Sequence, residues 1–174
     1  MNFFIAGYPK CGTTSLYTYL SAHPDVFLPG IKEPHFFTED YPGAREVANE
    51  SEYMALYNRA LPAQLCGDAS ASVIHSKVAI DNILAFNPNA KFVVLVREPV
   101  AAVRSFHSEL LFNLNEDESD LRVAWSLQAE RRGGQKIPRT CREARFLQYS
   151  QIFRYREQIP CFFDRVPENQ RLLL

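Results

Sequence analysis

Residues with chemical capability fall in three places along the chain. The first is Gly7-Tyr8-Pro9-Lys10-Cys11-Gly12-Thr13-Thr14, in which two glycines bracket a lysine and two hydroxyl residues follow directly. Glycines let a backbone curl so that several N–H groups face inward, and a helix beginning there adds its partial positive charge, so the pattern suits an oxyanion. A P-loop nucleotide triphosphatase carries its lysine directly after the second glycine. Here Thr13 occupies that position and the lysine is Lys10, inside the loop, which counts against magnesium-ATP. Thr13 and Thr14 offer hydroxyls to a phosphate, and Lys10 is placed to neutralise a bridging oxygen. The second place is Lys32-Glu33-Pro34-His35-Phe36-Phe37, a polar and aromatic connector holding a carboxylate and an imidazole. The third is Arg97, directly after the apolar run Phe92–Val96, with Ser105 a short distance beyond. Taken singly, Glu33 reads equally well as an ion-pair partner of Lys32, His35 as a loop residue packed by Phe36 and Phe37, and Arg97 as a surface ion pair.

These groups need elements to hold them. Phe3–Ala6 is an apolar run that predicts a buried strand, ended by the glycine loop. Leu16, Tyr17 and Leu20 then recur at helical spacing over 13–22 until His23-Pro24 stops them. Val26–Leu28 and Leu65–Asp68 read as short strands and 51–60 as a helix. Val78, Ala79, Ile83, Leu84 and Phe86 predict a helix ending at Asn87-Pro88. Lys91–Val96 is apolar enough for a strand covered on both faces of a parallel sheet. A helix starting at Pro99 buries Val103, Phe106, Leu110 and Leu111. Asp120 is expected to cap a helix reaching about Arg132, broken by Gly133-Gly134. A further amphipathic helix covers 145–159, and 170–174 begins a strand. Alternating strands and helices predict an α/β layer sandwich, P-loop-like, with a mainly parallel central sheet flanked by helices.

The 174 residues, 47% of them hydrophobic and 22% charged, are too apolar for disorder and fit one domain over 1–174. The apolar run that reaches Leu174 leads to the expectation that a C-terminal portion is missing. No apolar stretch approaches the roughly 20 residues that cross a bilayer, and no signal peptide opens the chain, so a cytoplasmic protein without a membrane partner is expected. The four cysteines form no C-x-x-C pair, so neither zinc nor a disulfide framework is expected. Net charge is −1, yet after Glu130 there are ten Lys/Arg against four Asp/Glu. Nucleic acid is one reading of that basic segment, but no nucleic-acid-binding motif accompanies it, and an anionic small ligand or glycan fits as well.

Tyr8-Pro9-Lys10-Cys11-Gly12-Thr13-Thr14 resembles the 5′-phosphosulfate loop of sulfotransferases that use 3′-phosphoadenosine 5′-phosphosulfate (PAPS), usually Y/F-P-K-S-G-T-T. The resemblance implies that Lys10, Cys11, Gly12, Thr13, Thr14 and Ser15 hold the donor, Cys11 through its backbone, without a metal. Phe92–Pro99 with Arg104-Ser105 is similar to the family's 3′-phosphate segment, which implies that Arg97 and Ser105 bind that phosphate, a role suited to a planar guanidinium. Lys32–Phe37 resembles the E-x-H-F-F segment of glycan-modifying, heparan-sulfate-type members. There Glu33 becomes the general base, and His35 orients or shares the proton. Lys77 falls where such enzymes carry a second active-site lysine, although a lysine at a helix start is more often solvated and His75 lies close by. Asp68 receives no role.

The function implied is transfer of a sulfuryl group from PAPS to a hydroxyl of a carbohydrate or other alcohol. A P-loop kinase and a non-catalytic nucleotide-binding module are the alternatives. Arg131, Arg132, Lys136, Arg139, Arg142 and Arg145 concentrate positive charge around Gly133-Gly134, in a stretch that the resemblance to the glycan enzymes places beside the acceptor cleft, where it would attract an anionic acceptor. A solvated arginine-rich surface is the other reading of such a run.

Overall fold

The computed structural model describes residues 1–174. In chain order the elements are β1 (Phe3–Gly7), α1 (Thr13–Ser21), β2 (Val26–Phe27), α2 (Glu50–Ala55), β3 (Leu65–Asp68), α3 (Ala79–Phe86) and β4 (Lys91–Leu95), followed by α4 (Pro99–Phe112), α5 (Leu121–Ser126), α6 (Gln128–Arg132), α7 (Tyr149–Ile152), α8 (Tyr155–Arg165) and β5 (Arg171–Leu173). The five strands are ordered β2-β3-β1-β4-β5 and every neighbouring pair is parallel. The expected α/β, P-loop-like sandwich is therefore present. No helix is long and apolar enough to cross a membrane.

Strand order determines where a ligand can sit. From β1 the chain builds β2 and β3 on one side, then crosses to β4 on the other, so the order reverses between β1 and β4. Crevices open at the carboxyl ends of strands at such a reversal. Phe3 to Gly7 run in register with Lys91 to Leu95, which delivers the glycine loop and Arg97 to the same end of the sheet. Gly7 has φ 147°, and a Cβ on it would lie 2.8 Å from the Leu95 carbonyl oxygen. Glycine is required for that approach.

Both faces of the sheet are covered, Phe4 packing into the main core and Ile5 with Leu28 and Ala69 into a smaller cluster. Phe4, Phe37, Tyr53, Phe92 and Phe162 belong to the main core, with Phe4 stacked on Phe92 at 5.6 Å. A second cluster, Val103, Phe106, Leu110, Leu147, Tyr149 and Ile152, anchors α4 against the later helices. The helix start at Pro99 is fixed by Glu98, whose carboxylate accepts from the Val100 and Ala101 amides at 2.9 and 2.6 Å.

Three helix expectations need correction. The helix from Asp120 to Arg132 is two helices, because the Gln128 side chain donates to the Trp125 carbonyl at 2.9 Å and competes with the main-chain ladder there. The helix over 145–159 is split at Phe153-Arg154, where Phe153 turns in against Phe106. Its second half continues through Pro160 to Arg165, since burial of Phe162 against Phe92 outweighs proline's poor helix propensity. The helix expected over 51–60 ends at Ala55.

Arg131 is also corrected. It is no part of a basic surface: its guanidinium makes two 2.6 Å bonds to Glu116, both side chains are fully buried, and Tyr149 Oη donates to the same carboxylate at 2.7 Å. Burial would raise the Glu116 carboxyl, but these donors hold it below the usual carboxylate range. Removing one partner leaves a buried charge unpaired, so Arg131→Met is expected to lower unfolding free energy by about 3–5 kcal/mol in urea titrations. A loss under about 1 kcal/mol would show that the pair contributes little.

Candidate active site

The loop between β1 and α1 is shaped for an anion. Lys10 and Gly12 both adopt left-handed backbone, with φ 63° and 91°. The amides of Lys10, Gly12, Thr13, Thr14 and Ser15 find no acceptor within the protein, whereas Leu16 already bonds back to Gly12 at 3.1 Å. Such a run of inward N–H groups at a helix start is an anion nest. Cys11 departs from expectation. Its amide donates to Tyr8 at 3.2 Å, and its buried thiol faces Tyr155 Oη at 3.6 Å, with Tyr155 packed on Tyr8. Burial pushes the Cys11 thiol up, so it stays protonated.

Arg97 leaves β4 beside this loop and donates from Nη1 to the Lys10 carbonyl at 3.2 Å. Together with Ser105 on α4 it lines a cleft of about 360 Å³ that also receives Lys10, Gly12, Thr13, Thr14, Ser15, Glu33 and His35. The Lys10 ammonium lies 3.6 Å from Glu109, one turn along α4 from Ser105, in a pair that is about one-third exposed on each side (35% and 39%).

Glu33 and His35 reach the cleft through a strained connector. Both have positive φ, 62° and 54°, a conformation that non-glycine residues hold only when their surroundings impose it. Here the surroundings do so. The His35 amide donates to Ser70 Oγ at 3.1 Å, its carbonyl accepts from Thr38 Oγ1 at 3.0 Å, and the Pro34 carbonyl accepts from Glu46 at 3.1 Å. The His35 ring bridges two partners, Ser72 Oγ at Nδ1 and Glu33 Oε2 at Nε2, the latter at 3.2 Å. Lys32 Nζ contacts the other Glu33 oxygen. Burial would raise the Glu33 carboxyl, yet the His35 hydrogen bond and the charges of Lys32 and His35 bring it down to about 2.

The sulfotransferase domain family matches residues 1–143. The chain belongs to the sulfotransferase family. It is 31% identical over 172 residues to human carbohydrate sulfotransferase 15, covering 73% of this chain and 30% of that protein. Human heparan sulfate glucosamine 3-O-sulfotransferase 6 is 36% identical over 107 residues, covering 62% of this chain and 30% of its own length. The chain thus spans under a third of the curated relatives it matches. A solved sulfotransferase from Alicyclobacillus acidocaldarius superposes with a TM-score of 0.86 at 26% identity, over 99% of this chain and 72% of that one. The sulfotransferase domain of the curacin biosynthetic pathway shares the fold, with a TM-score of 0.61 at 16% identity over 99% of this chain and 66% of that one.

Not every expected residue of this sulfotransferase chain joins the cleft. Lys77 does not: its amide donates to Asp40 at 2.9 Å, its carbonyl accepts from Arg165, and its side chain lines a second groove of about 620 Å³. The start of α3 turns it outward. That groove also holds Arg132 and Arg145, but neither Arg139 nor Arg142, and Arg142 pairs instead with Glu46 at 2.9 Å. Asp68 ends β3 inside the core, where Tyr53 Oη donates to it at 2.9 Å and burial raises its carboxyl. Sequence reasoning missed Ser72, Glu109 and Asn115 in the cleft wall. Glu109 lies four residues beyond Ser105, helical spacing that would have placed it on the same face. Ser72 carries no such signal.

Because Glu33 is held below its ordinary value near 4.5, the folded state favours its ionised form. Its contribution to stability is present above about pH 4.5 and is lost as pH falls through about 2. Carboxyl-carbon NMR is expected to show Glu33 titrating well below the other glutamates, and Lys32→Gln is expected to move it upward. A midpoint above 4.5 in the wild type contradicts this electrostatic assignment.

Proposed function

We propose that the cleft transfers a sulfuryl group from PAPS to a hydroxyl of a carbohydrate acceptor. The observation that carries this reading is the convergence on one cleft of five unpaired loop amides, Arg97 with Ser105, and the carboxylate of Glu33. The names of the relatives, carbohydrate and heparan sulfate glucosamine sulfotransferases, support a glycan as the acceptor class.

The residues fit the donor's two charged ends. The amides of Lys10 and Gly12 to Ser15, with the Thr13 and Thr14 hydroxyls, suit the 5′-phosphosulfate, and Arg97 with Ser105 suits the 3′-phosphate. PAPS supplies an activated sulfuryl group on a phosphate leaving group. Lys10, released from its loose pair with Glu109, neutralises charge that grows on the bridging oxygen. Glu33 is ionised at neutral pH and accepts the hydroxyl proton. A weak base suffices, because that proton becomes acidic as the new oxygen–sulfur bond forms. The acceptor hydroxyl takes the place of one of the two contacts that Lys32 and His35 make to the carboxylate. A magnesium-dependent kinase needs a strand-end aspartate in its cleft, and Asp68, which ends β3, is instead buried on Tyr53 and does not line this one.

Isothermal calorimetry is expected to show adenosine 3′,5′-bisphosphate binding in EDTA, with ATP plus magnesium binding far more weakly; the reverse order contradicts the donor assignment. Arg97→Ala is expected to weaken the bisphosphate about tenfold or more while leaving AMP nearly unaffected. Lys10→Ala is expected to lower kcat about a hundredfold or more while largely preserving bisphosphate affinity, and survival of kcat within about threefold contradicts the leaving-group role.

The second groove supports an anionic acceptor. Among its cations, Lys77, Arg132 and Arg145 have no carboxylate partner, while Arg154 pairs with Glu157 and Arg165 with Asp81. Arg132→Gln with Arg145→Gln is expected to raise the acceptor KM and flatten its salt dependence, with donor affinity unchanged. A neutral alcohol as best acceptor, with a KM indifferent to salt, would make this groove mere surface.

A further inference from the structure

Five buried side-chain atoms lack a hydrogen-bond partner: Tyr8 Oη, Arg45 Nε, Asp68 Oδ1, His75 Nε2 and Gln158 Oε1. Of these five residues, His75 alone lines the cleft. Only 7% of it is exposed, and it also lines the basic groove, so it stands in the wall shared by the two. A buried donor or acceptor without a partner is unfavourable, and in a residue of the cleft wall a ligand atom would relieve that cost.

The neighbours of His75 determine what it offers. Nδ1 lies 3.0 Å from Tyr41 Oη. Tyr41 is itself buried, stacked on Phe146 with the Arg145 guanidinium over its ring, and the His75 nitrogen is the partner its hydroxyl has. The phenol therefore donates to Nδ1, which leaves the proton of the neutral ring on Nε2. Burial, aided by the charge of His35, pushes the imidazole down to about 3 against the opposing pull of Asp40 and Glu33. With Nδ1 occupied and Nε2 protonated, His75 is a fixed neutral N–H donor and has no free lone pair to act as a base.

We propose that His75 Nε2–H is a specificity contact to the acceptor, donating to a saccharide oxygen adjacent to the hydroxyl that is sulfated. This rests on the sulfotransferase reading above. Its position separates it from the donor end: the phosphate groups are served by the loop amides, Arg97 and Ser105, whereas an acceptor reaching from Glu33 toward the Arg132–Arg145 groove passes His75. A pocket built around a hydrogen-bonding group discriminates strongly against analogues that lack the matching oxygen.

Two variants and one spectrum test it. Glutamine places an amide nitrogen where Nε2 stands, and phenylalanine does not. With PAPS and a heparan sulfate octasaccharide, His75→Phe is expected to raise the acceptor KM about three- to tenfold, His75→Gln to restore most of that loss, and adenosine 3′,5′-bisphosphate affinity to stay constant in both. An unchanged KM in His75→Phe, or equal loss in both variants, overturns the proposal; weakened bisphosphate moves the contact to the donor and overturns it as well. Imidazole nitrogen-15 NMR of the intact protein needs no turnover. The Nε2–H tautomer should persist from pH 5 to 8, and the octasaccharide should shift the His75 Nε2 resonance. An Nδ1–H tautomer, or an octasaccharide that leaves His75 unmoved, overturns the inference even where the bisphosphate binds. Failure of the bisphosphate to bind overturns the donor reading instead, and the tautomer still decides for His75.

Discussion

The parallel pairing of β1 with β4 is the constraint on which the site depends. Gly7 lies against the Leu95 carbonyl so closely that a methyl group would collide, and this contact brings two chain segments nearly 90 residues apart to one sheet end. From it follow the loop of residues 8–12, the exit of Arg97, and the bond from Arg97 back to the Lys10 carbonyl. The apolar faces of both strands, with Phe4 stacked on Phe92, supply the hydrophobic burial that holds the pairing. Binding groups at this end of the sheet are thus fixed by the core rather than by mobile loops.

A second layer of control comes from strain. Lys10, Glu33 and His35 all have left-handed backbone conformations, and all three line the cleft. Positive φ at Glu33 turns its carboxylate so that adjacent Lys32 and nearby His35 grip opposite oxygens. The unfavourable backbone is offset by Ser70, Thr38 and Glu46, which tie the connector to the turn after β3 and to the loop ahead of α2. Charge placement follows the same economy: the Glu33 carboxylate is held ionised, while the thiol of Cys11 and the ring of His75 are kept neutral by burial.

Much of this was legible in the sequence. Apolar runs such as Phe3–Ala6 and Phe92–Val96 announce buried strands because a parallel sheet covers both faces, and the glycine loop between strand and helix announces anion binding. What stayed hidden depends on partners distant in the chain. Arg131 reads as one of a basic run until the fold brings Glu116 to it. Cys11 sits inside the loop motif, and only Tyr155 shows that its side chain turns to the core. The breaks at Leu127 and Phe153 come from Gln128 and from packing on Phe106, neither of which leaves a periodic trace. Lys77 was assigned by resemblance alone, and Asp40 draws its backbone into the other groove.

A crystal structure with adenosine 3′,5′-bisphosphate tests the central claim most directly. The account predicts the 5′-phosphate within hydrogen-bond distance of the amides of Gly12 to Ser15, the 3′-phosphate on Arg97 and Ser105, and the Cys11 thiol still turned toward Tyr155. A nucleotide lodged elsewhere, or bound with Arg97 still on the Lys10 carbonyl and no phosphate beside it, would contradict the assignment of this cleft.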